Sequence, residues 1–371
     1  MTLSLPSRHD EAWRWSDLSA LSGIASRAPR GEVSGALPWI DSFRDGPRLL
    51  FVDGKLVADQ SNLDPVEIGA IDPEPGDHAL ARLVGREGWR LRLGRDHAPG
   101  GIVQIVHVTT GAADHLPAEI VLDVDAQASI VETFIGDGWT NRLSHFRLYK
   151  GARLMLARRL LGASGPSTSS GTGFVSLTDR AEIGEGASFV SATLAAGGAD
   201  TRLDGDLRLV GEGAYAEAAG ALLARGNQRH DANLVVHHAM PNGASRQVWR
   251  SVADDLATCS VAARVEVARG AQKTDGEQSL KGIMLSPTAT INAKPELEIF
   301  ADDVKCAHGA TVGELDKAAL FYLASRGVPE AEATALLTRA FVADALERIG
   351  EEAVREAFYA DVETWFGGAN G

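Results

Sequence analysis

The chain has 371 residues, 44% hydrophobic and 23% charged, a composition typical of a globular protein large enough for two or three domains. Its net charge of −14 argues against nucleic acid as a partner, because phosphate binding needs basic surfaces. No apolar run approaches the roughly 20 residues that span a bilayer, and the first residues lack the pattern of a signal peptide. Two cysteines cannot build a disulfide framework, so the sequence predicts a reducing, cytoplasmic location and no membrane partner.

Residues 1–98 predict a small mixed α/β region. Residues 8–25 have acidic residues at their start and an apolar stripe, as an N-terminal helix would. The pair Asp53-Gly54 lies between two apolar runs and predicts a β-hairpin with a type I′ turn. This region therefore precedes the main β body rather than belonging to it.

Residues 99–313 change in character and predict a mainly β solenoid. Short segments rich in β-branched residues alternate with Gly-Ala pairs, which are spaced about 35, 27, 30 and 27 residues apart, at 151–152, 186–187, 213–214, 243–244 and 270–271. Short strands and a glycine turn in each unit of such a period are typical of a β-helix. A β-sandwich or two smaller β domains would give a similar pattern, and the periodicity leaves these alternatives open.

Residues 314–371 predict a helical region. One helix is expected from Leu315 to Ser325, closed by Gly327, and a second is expected to open at Pro329. The second helix carries two adjacent apolar stripes, a wider face than one neighbour usually covers, which predicts a partner surface. The residues of this predicted docking surface are Leu336, Leu337, Phe341, Val342, Leu346 and Ile349.

The pair Cys306 and His308 carries the most informative chemistry of the chain. Their spacing places both side chains on one face of an extended strand. A thiol and an imidazole both ligate zinc or iron, and Lys305 next to the thiol would favour the thiolate. Such a site usually needs four ligands, or three and an open position, so the others must come from elsewhere, most simply from another chain. A buried cysteine beside a core histidine would give the same spacing.

Other candidates are weaker. Adjacent His237 and His238 would face opposite sides of a strand and cannot chelate one ion, and Cys259 lies in a small-residue strand that predicts an inert thiol. The acidic pairs at 254–255 and 302–303 raise the alternative of a polysaccharide-active β-helix enzyme, but adjacent carboxylates diverge and aromatic residues are only 6% of the chain. The sequence contains no phosphate-binding loop and no nucleophile elbow, so we expect no nucleotide bound by this chain itself.

Five ordered segments make the chain similar to the SufB/SufD family of the Suf iron–sulfur cluster assembly machinery. They are residues 272–280, 284–289, 294–299, 301–313 and 320–327, and the resemblance is densest over 227–349. The motif Val-Lys-Cys-Ala-His-Gly-Ala-Thr around Cys306 and the scarcity of cysteine resemble the SufD branch of this family more than the SufB branch.

The resemblance implies a right-handed parallel β-helix core flanked by N-terminal and C-terminal helical regions. It implies a noncatalytic scaffold that pairs with a SufB paralogue, has a role in iron acquisition and docks a SufC ABC-type ATPase on its C-terminal helices. An iron–sulfur cluster would form transiently at the interface with SufB, and Cys306 and His308 would be its ligands, or ligands of iron, from this chain. Cys306 would alternatively pack in the interface, and a structural adaptor with no metal role is the remaining alternative.

Overall fold

The structure, a computed structural model, describes residues 5–31, 33, 36–162, 173–197 and 200–367. Over residues 8–25 the chain forms a 3-10 turn at Glu11–Trp13 and the short helix α1, Leu21–Ala25. The longer helix predicted over residues 8–25 is therefore wrong. The segment instead lies along the solenoid, because the Ser16 hydroxyl is bound to the buried carboxylate of Asp231. Its predicted apolar stripe is still buried, in a cluster separate from the main core.

Two antiparallel pairs begin the β structure. Strands β1 (Arg48–Val52) and β2 (Lys55–Leu56) form the predicted hairpin. Asp53 and Gly54 have φ values of 47° and 76°, the left-handed conformation that a type I′ turn requires at both positions. Strands β3 (Val66–Ala70) and β4 (Glu87–Leu93) form the second pair. The hairpin prediction is confirmed.

Fifteen further strands build a parallel solenoid of about seven turns, which confirms the predicted fold class. They are β5 Val103–Thr109, β6 Ala113–Leu122, β7 Gln127–Gly136, β8 Trp139–Leu148, β9 Arg153–Gly162, β10 Phe174–Ile183, β11 Ser188–Ala195, β12 Asp200–Leu209, β13 Tyr215–Ala224, β14 Arg229–His238, β15 Ala244–Ala253, β16 Thr258–Val267, β17 Asp275–Met284, β18 Thr290–Ile299 and β19 Lys305–Gly313. From β5 onward, odd-numbered strands form one sheet and even-numbered strands the other, each pairing in parallel with the strand two further along.

A residue with positive φ lies two positions before each odd strand from β7 to β17. Glycine occupies this position in the three middle turns, at 151, 186 and 213, as the Gly-Ala spacing predicts. In the last two turns Asn242 and Lys273 take the left-handed conformation, although the glycines of the predicted pairs are 243 and 270. Glycine spacing therefore indicates the repeat but does not fix the register of the last turns.

The main core lies between the two sheets and runs from Leu49 to Ala301. The last coil is less well covered than the inner ones: β18 is half-buried along most of its length, and β19 is mostly exposed. In the part of the chain that the structure describes, each of these strands has a neighbour on one side only, because β18 and β19 are the last strands of their sheets. We call these two strands, with the apolar side chains that they leave uncovered, the open end of the solenoid.

Three helices follow the solenoid: α2 Lys317–Ser325, α3 Glu330–Leu346 and α4 Glu352–Gly367. The Asp316 side chain caps α2 by accepting a hydrogen bond from the backbone N–H of Ala318 at 2.8 Å, and Gly327 with φ of 84° follows its end. Helices α3 and α4 fold back over the outer face of the odd-numbered sheet and form a second core with it. Within the part of the chain that the structure describes, no helix is long and apolar enough to cross a membrane.

Candidate site at the open end of the solenoid

Cys306 and His308 lie together on β19, the last strand of the odd-numbered sheet. Cys306 is half-buried and packs against the main core, so its side chain faces the interior of the solenoid. His308 is two residues further along the strand and therefore shares this face, but it is exposed. The structure thus brings the two predicted donors to one face, at the uncovered surface of the last coil.

The pKa of the Cys306 thiol is raised rather than lowered. Burial is the main cause, and the negative charge of Asp275 adds to it, while a hydrogen bond with the Gly276 backbone acts in the opposite direction. The expectation that Lys305 would favour the thiolate is wrong, because adjacent residues of a strand point to opposite faces. The thiol is therefore protonated at neutral pH, and a metal would have to displace its proton.

Two donors do not complete a metal site in this chain. Among the described residues, no three His, Cys, Asp or Glu side chains are grouped so that they can hold a metal ion. A thiolate and an imidazole suit iron, zinc or an iron–sulfur cluster in donor type, but not in number. Within the described residues, Cys306 and His308 are thus not joined by a third donor of these types.

The surroundings of the pair are those of an interface. Inward-facing Ile291 and Leu297 of β18 are only partly buried, and Ile299 and Val312 are 38% and 39% exposed. Among the described residues, no strand lies beside the outer edges of β18 and β19, and such edges readily pair with another chain. Sequence reasoning missed this surface, because only the three-dimensional stack shows that no coil covers the last one.

The other candidate residues are structural. His238 is buried with its Nε2 2.8 Å from the Ser245 hydroxyl, whereas His237 faces outward with its Nδ1 2.6 Å from a carboxylate oxygen of Glu266. The two rings therefore lie on opposite faces of β14, as predicted. Cys259 is fully buried, and burial raises the pKa of its thiol, which agrees with the prediction of an inert side chain.

The predicted docking surface on α3 divides into buried and exposed parts. Its buried part packs against the chain's own odd-numbered sheet and is not available to a partner in this structure; it consists of Val342, Leu346 and Ile349. Leu337 and Phe341 are half-buried, and Leu336 is 48% exposed. The solenoid itself therefore covers one of the two predicted stripes, whereas the other stays partly or largely exposed.

A different apolar surface is exposed on the helices. Phe321 and Tyr322 of α2 are 76% and 57% exposed, and α2 packs beside α3, which carries Leu336. We call these three residues the α2–α3 patch. The sequence pattern does not predict this patch, because α2 has apolar residues on every side; in the structure none of its residues is buried.

Comparison with known proteins places this architecture in a family. Residues 107–341 match the model of the SufBD core domain of SUF system FeS cluster assembly. The chain is 26% identical to the iron–sulfur cluster assembly protein SufD of Escherichia coli, over 96% of this chain and 88% of that protein. It is 30% identical to a SufBD family iron–sulfur cluster assembly protein of Mycobacterium tuberculosis, over 97% of this chain and 89% of that protein. It is also 30% identical to SufD of Bacillus subtilis, over 44% of this chain and 38% of that protein.

Proposed function

Because this chain belongs to the SufB/SufD family of iron–sulfur cluster assembly proteins, we propose that it is a noncatalytic scaffold subunit of a Suf complex. In this proposal the chain pairs with a SufB-type paralogue through the open end and contributes Cys306 and His308 to a cluster formed there. It carries a SufC-type ATPase on its C-terminal helices. It acts in the cytoplasm, where thiols stay reduced.

The observation that carries the proposal is the position of the two donors on the uncovered last coil. A partner that extends the sheets past β18 and β19 would cover the apolar rim and satisfy the free strand edges. The same partner would lie next to Cys306 and His308 and would supply the missing ligands. One binding event would thus complete both the β structure and the ligand set.

Iron enters this scheme as cargo rather than as a resident cofactor. The exposed imidazole of His308 is the donor more accessible to an incoming iron ion, whereas the protonated, half-buried Cys306 must first lose its proton. We therefore propose that His308 contributes to iron acquisition and that Cys306 joins as a ligand, or packs in the interface, once the partner is bound. The cluster is held transiently, because half of its ligands leave with the partner.

The division of labour follows the regions of the chain. We propose that residues 1–98 close the start of the solenoid, that residues 99–313 form the cluster-bearing core and that residues 314–371 dock the ATPase. Within the last region, the α2–α3 patch is the surface best suited to this contact, because its three apolar side chains are exposed. Nucleotide binding and hydrolysis then belong to the ATPase partner.

The alternative of a polysaccharide-active enzyme finds less support. Its candidate acids, at 254–255 and 302–303, lie in turns between strands of the solenoid, and the members of each pair are adjacent in the chain. Glycoside hydrolysis instead needs two carboxyl groups facing each other across a bound sugar. Family membership favours cluster assembly, and the remaining alternative of an adaptor with inert Cys306 and His308 is tested directly below.

The test is to co-express the chain with its SufB-type and SufC-type partners and purify the complex without oxygen. We expect His308→Ala to lower the visible absorbance, iron content and acid-labile sulfide of the complex several-fold, because it removes an imidazole donor. Folding and partner binding should persist, since the side chain is exposed. His97→Ala, at another exposed histidine, is the matched control. Undiminished iron and sulfide in the His308→Ala complex would support the inert adaptor instead.

A further inference from the structure

We propose that Gln278 is a positioning residue for His308. In this inference, which rests on the proposed function, the side-chain oxygen of Gln278 accepts a hydrogen bond from one ring nitrogen of His308. The other ring nitrogen is thereby kept unprotonated and directed to the open end, where iron or a nascent cluster would bind. Gln278 belongs to a column of polar side chains inside the last three coils.

The column is formed by residues that are register neighbours in the odd-numbered sheet. Gln247 of β15 pairs with Gln278 of β17, and Gln278 pairs with His308 of β19. Gln247 and Gln278 are 0% and 1% exposed, so both amides lie in the solenoid interior. Neighbouring strands are about 4.8 Å apart, which brings each side chain within reach of the next.

The order of the hydrogen bonds in this column is fixed by its first acceptor. The Arg264 backbone carbonyl can only accept, so the Gln247 side-chain nitrogen must donate to it, at 3.1 Å. This leaves the Gln247 oxygen to accept from the Gln278 nitrogen, at 3.4 Å. Oε1 of Gln278 is then the free acceptor at the end of the relay. It is buried and has no partner among the described residues.

A buried acceptor of this kind needs a donor, because a buried polar atom without a hydrogen bond has lost its contact with water and gained nothing in return. The side chain directly above it on the last coil is His308. The adjacent inward positions of β19 are poorer donors: Cys306 pairs with Gly276 and offers only a weak S–H, and Ala310 offers none. Among the inward side chains of β19, the ring N–H of His308 is therefore the donor best placed to bind the Gln278 oxygen.

The consequence for metal binding follows from the chemistry of imidazole. A neutral ring has one N–H and one lone pair, and the nitrogen that donates to Gln278 leaves the other free to ligate. Ligating histidines usually donate their second nitrogen to a protein acceptor, and loss of that acceptor typically lowers metal affinity by about 10–100-fold. Gln278 would supply this acceptor from inside the solenoid, before any partner arrives.

The experiment measures the ring nitrogens of His308 directly by ¹⁵N NMR. The full chain is labelled with ¹⁵N-histidine and studied about two pH units above the ordinary histidine pKa, and the His308 signals are assigned by their loss in His308→Ala. We expect one protonated and one bare nitrogen in the wild type. Gln278→Met should move the two shifts toward each other as the tautomers mix, whereas Gln278→Glu, which keeps an acceptor oxygen, should restore them. Gln127→Met, at an exposed glutamine of β7, is the control.

The same variants are then tested in the anaerobic complex. Gln278→Met should lower its iron and sulfide content several-fold while the subunits still co-purify. If Gln278→Met does not fold, Gln278→Asn, which withdraws the oxygen by one methylene, gives the same NMR readout. Unchanged His308 shifts in a folded variant would overturn the role of Gln278 and leave the proposed function standing. Failure of His308→Ala to lower the cluster content would instead refute the proposed function, whatever the tautomer.

Discussion

Charged side chains inside the solenoid stabilise one another's charged forms. Nε of Arg158 lies 2.7 Å from a carboxylate oxygen of Glu132, and both side chains are almost fully buried. Burial alone would raise the pKa of Glu132, but the charge of Arg158 and the interaction with the nearby His107 ring outweigh it and lower the pKa to about 2. The sequence shows Arg158 and Arg159 only as a short basic run. The strand separates them, so that Arg158 faces inward and Arg159 faces outward to bind Asp361 of α4.

The two thiols should differ in reactivity, because their environments differ. Cys259 is fully buried, whereas Cys306 is half-buried on the last coil. We expect a thiol reagent such as DTNB to modify one cysteine of the native chain slowly, since the pKa of Cys306 is raised, and the second only after unfolding. The Cys306→Ser variant should show no native reaction. Two reactive thiols in the folded chain would contradict the burial of Cys259.

Buried histidine makes the stability of the chain sensitive to acid. Burial lowers the pKa of His230 to about 4, and its ring is held by the Thr201 hydroxyl and the Leu223 carbonyl. The His230 ring binds a proton more readily in the unfolded chain than in the folded one. Its contribution to the free energy of unfolding is therefore fully present above about pH 6.5 and is lost as the pH falls toward 4. One such group lowers the free energy of unfolding by about 1.4 kcal/mol for each pH unit in this window.

Urea unfolding at a series of pH values measures this effect. His230→Gln should reduce the slope of the unfolding free energy with pH by nearly one proton between pH 6.5 and 4, the window set by the ordinary and lowered pKa. His97→Gln, at an exposed ring, is the control for the substitution itself. Equal slopes in all three proteins would mean that His230 does not stay neutral in the folded chain.

At the scale of elements, the helices after the solenoid belong to its structure as well as to its surface. The cluster formed by α3 and α4 includes outward-facing residues of the sheet such as Val131, Leu194 and Val252. Two buried arginines, Arg159 and Arg250, hold the helices by ion pairs to Asp361 and Asp344. Deleting the helices would uncover this apolar face, so a truncated chain is a poor test of partner binding. Point substitutions on the exposed side are cleaner.

The α2–α3 patch gives such a substitution. Leu336→Asp should weaken co-purification of the SufC-type ATPase, because a carboxylate would be desolvated in an apolar contact. Stability should change little, since Leu336 is 48% exposed. Leu256→Asp, at a 61% exposed leucine in the turn after β15, is the matched control and should bind normally. Equal ATPase recovery with both variants would move the contact away from this patch.

For the whole molecule, the sequence predicts the solenoid fold better than it predicts the register and exposure of the last coils. The period of the glycine turns indicates a solenoid, since each coil needs a similar tight turn before its next strand. The register of the last turns is not predictable from glycine, because Asn242 and Lys273 also adopt positive φ there. The spacing of Cys306 and His308 predicts a shared face, but their exposure depends on where the stack stops. Which side of α3 is buried likewise depends on the sheet beneath it.

The order of the coils supports the proposal that a partner pairs at one end of the solenoid. Each inner coil is stabilised by a neighbour on both sides, whereas the last coil has one. At the start of the solenoid, the hairpin strand β2 and the antiparallel strand β3 form the ends of the two sheets. At the other end the described chain provides no equivalent strand, and the apolar rim stays open. This asymmetry supports the proposal that pairing takes place at the coil that bears Cys306 and His308.

The proposed pairing at the open end predicts that a charge placed there weakens binding of the partner. Val312→Lys places an ammonium group on the apolar rim, where a paired partner would have to desolvate it, so we expect complex formation with the SufB-type subunit to weaken at least ten-fold. Val210→Lys is the matched control, because the two valines are 39% and 46% exposed and Val210 lies in the turn after β12, several coils away. Titration of the labelled partner, followed by analytical ultracentrifugation, compares the two variants. If both bind the partner as the wild type does, the open end is not the pairing surface, and Cys306 and His308 lose the neighbour that would complete their ligand set.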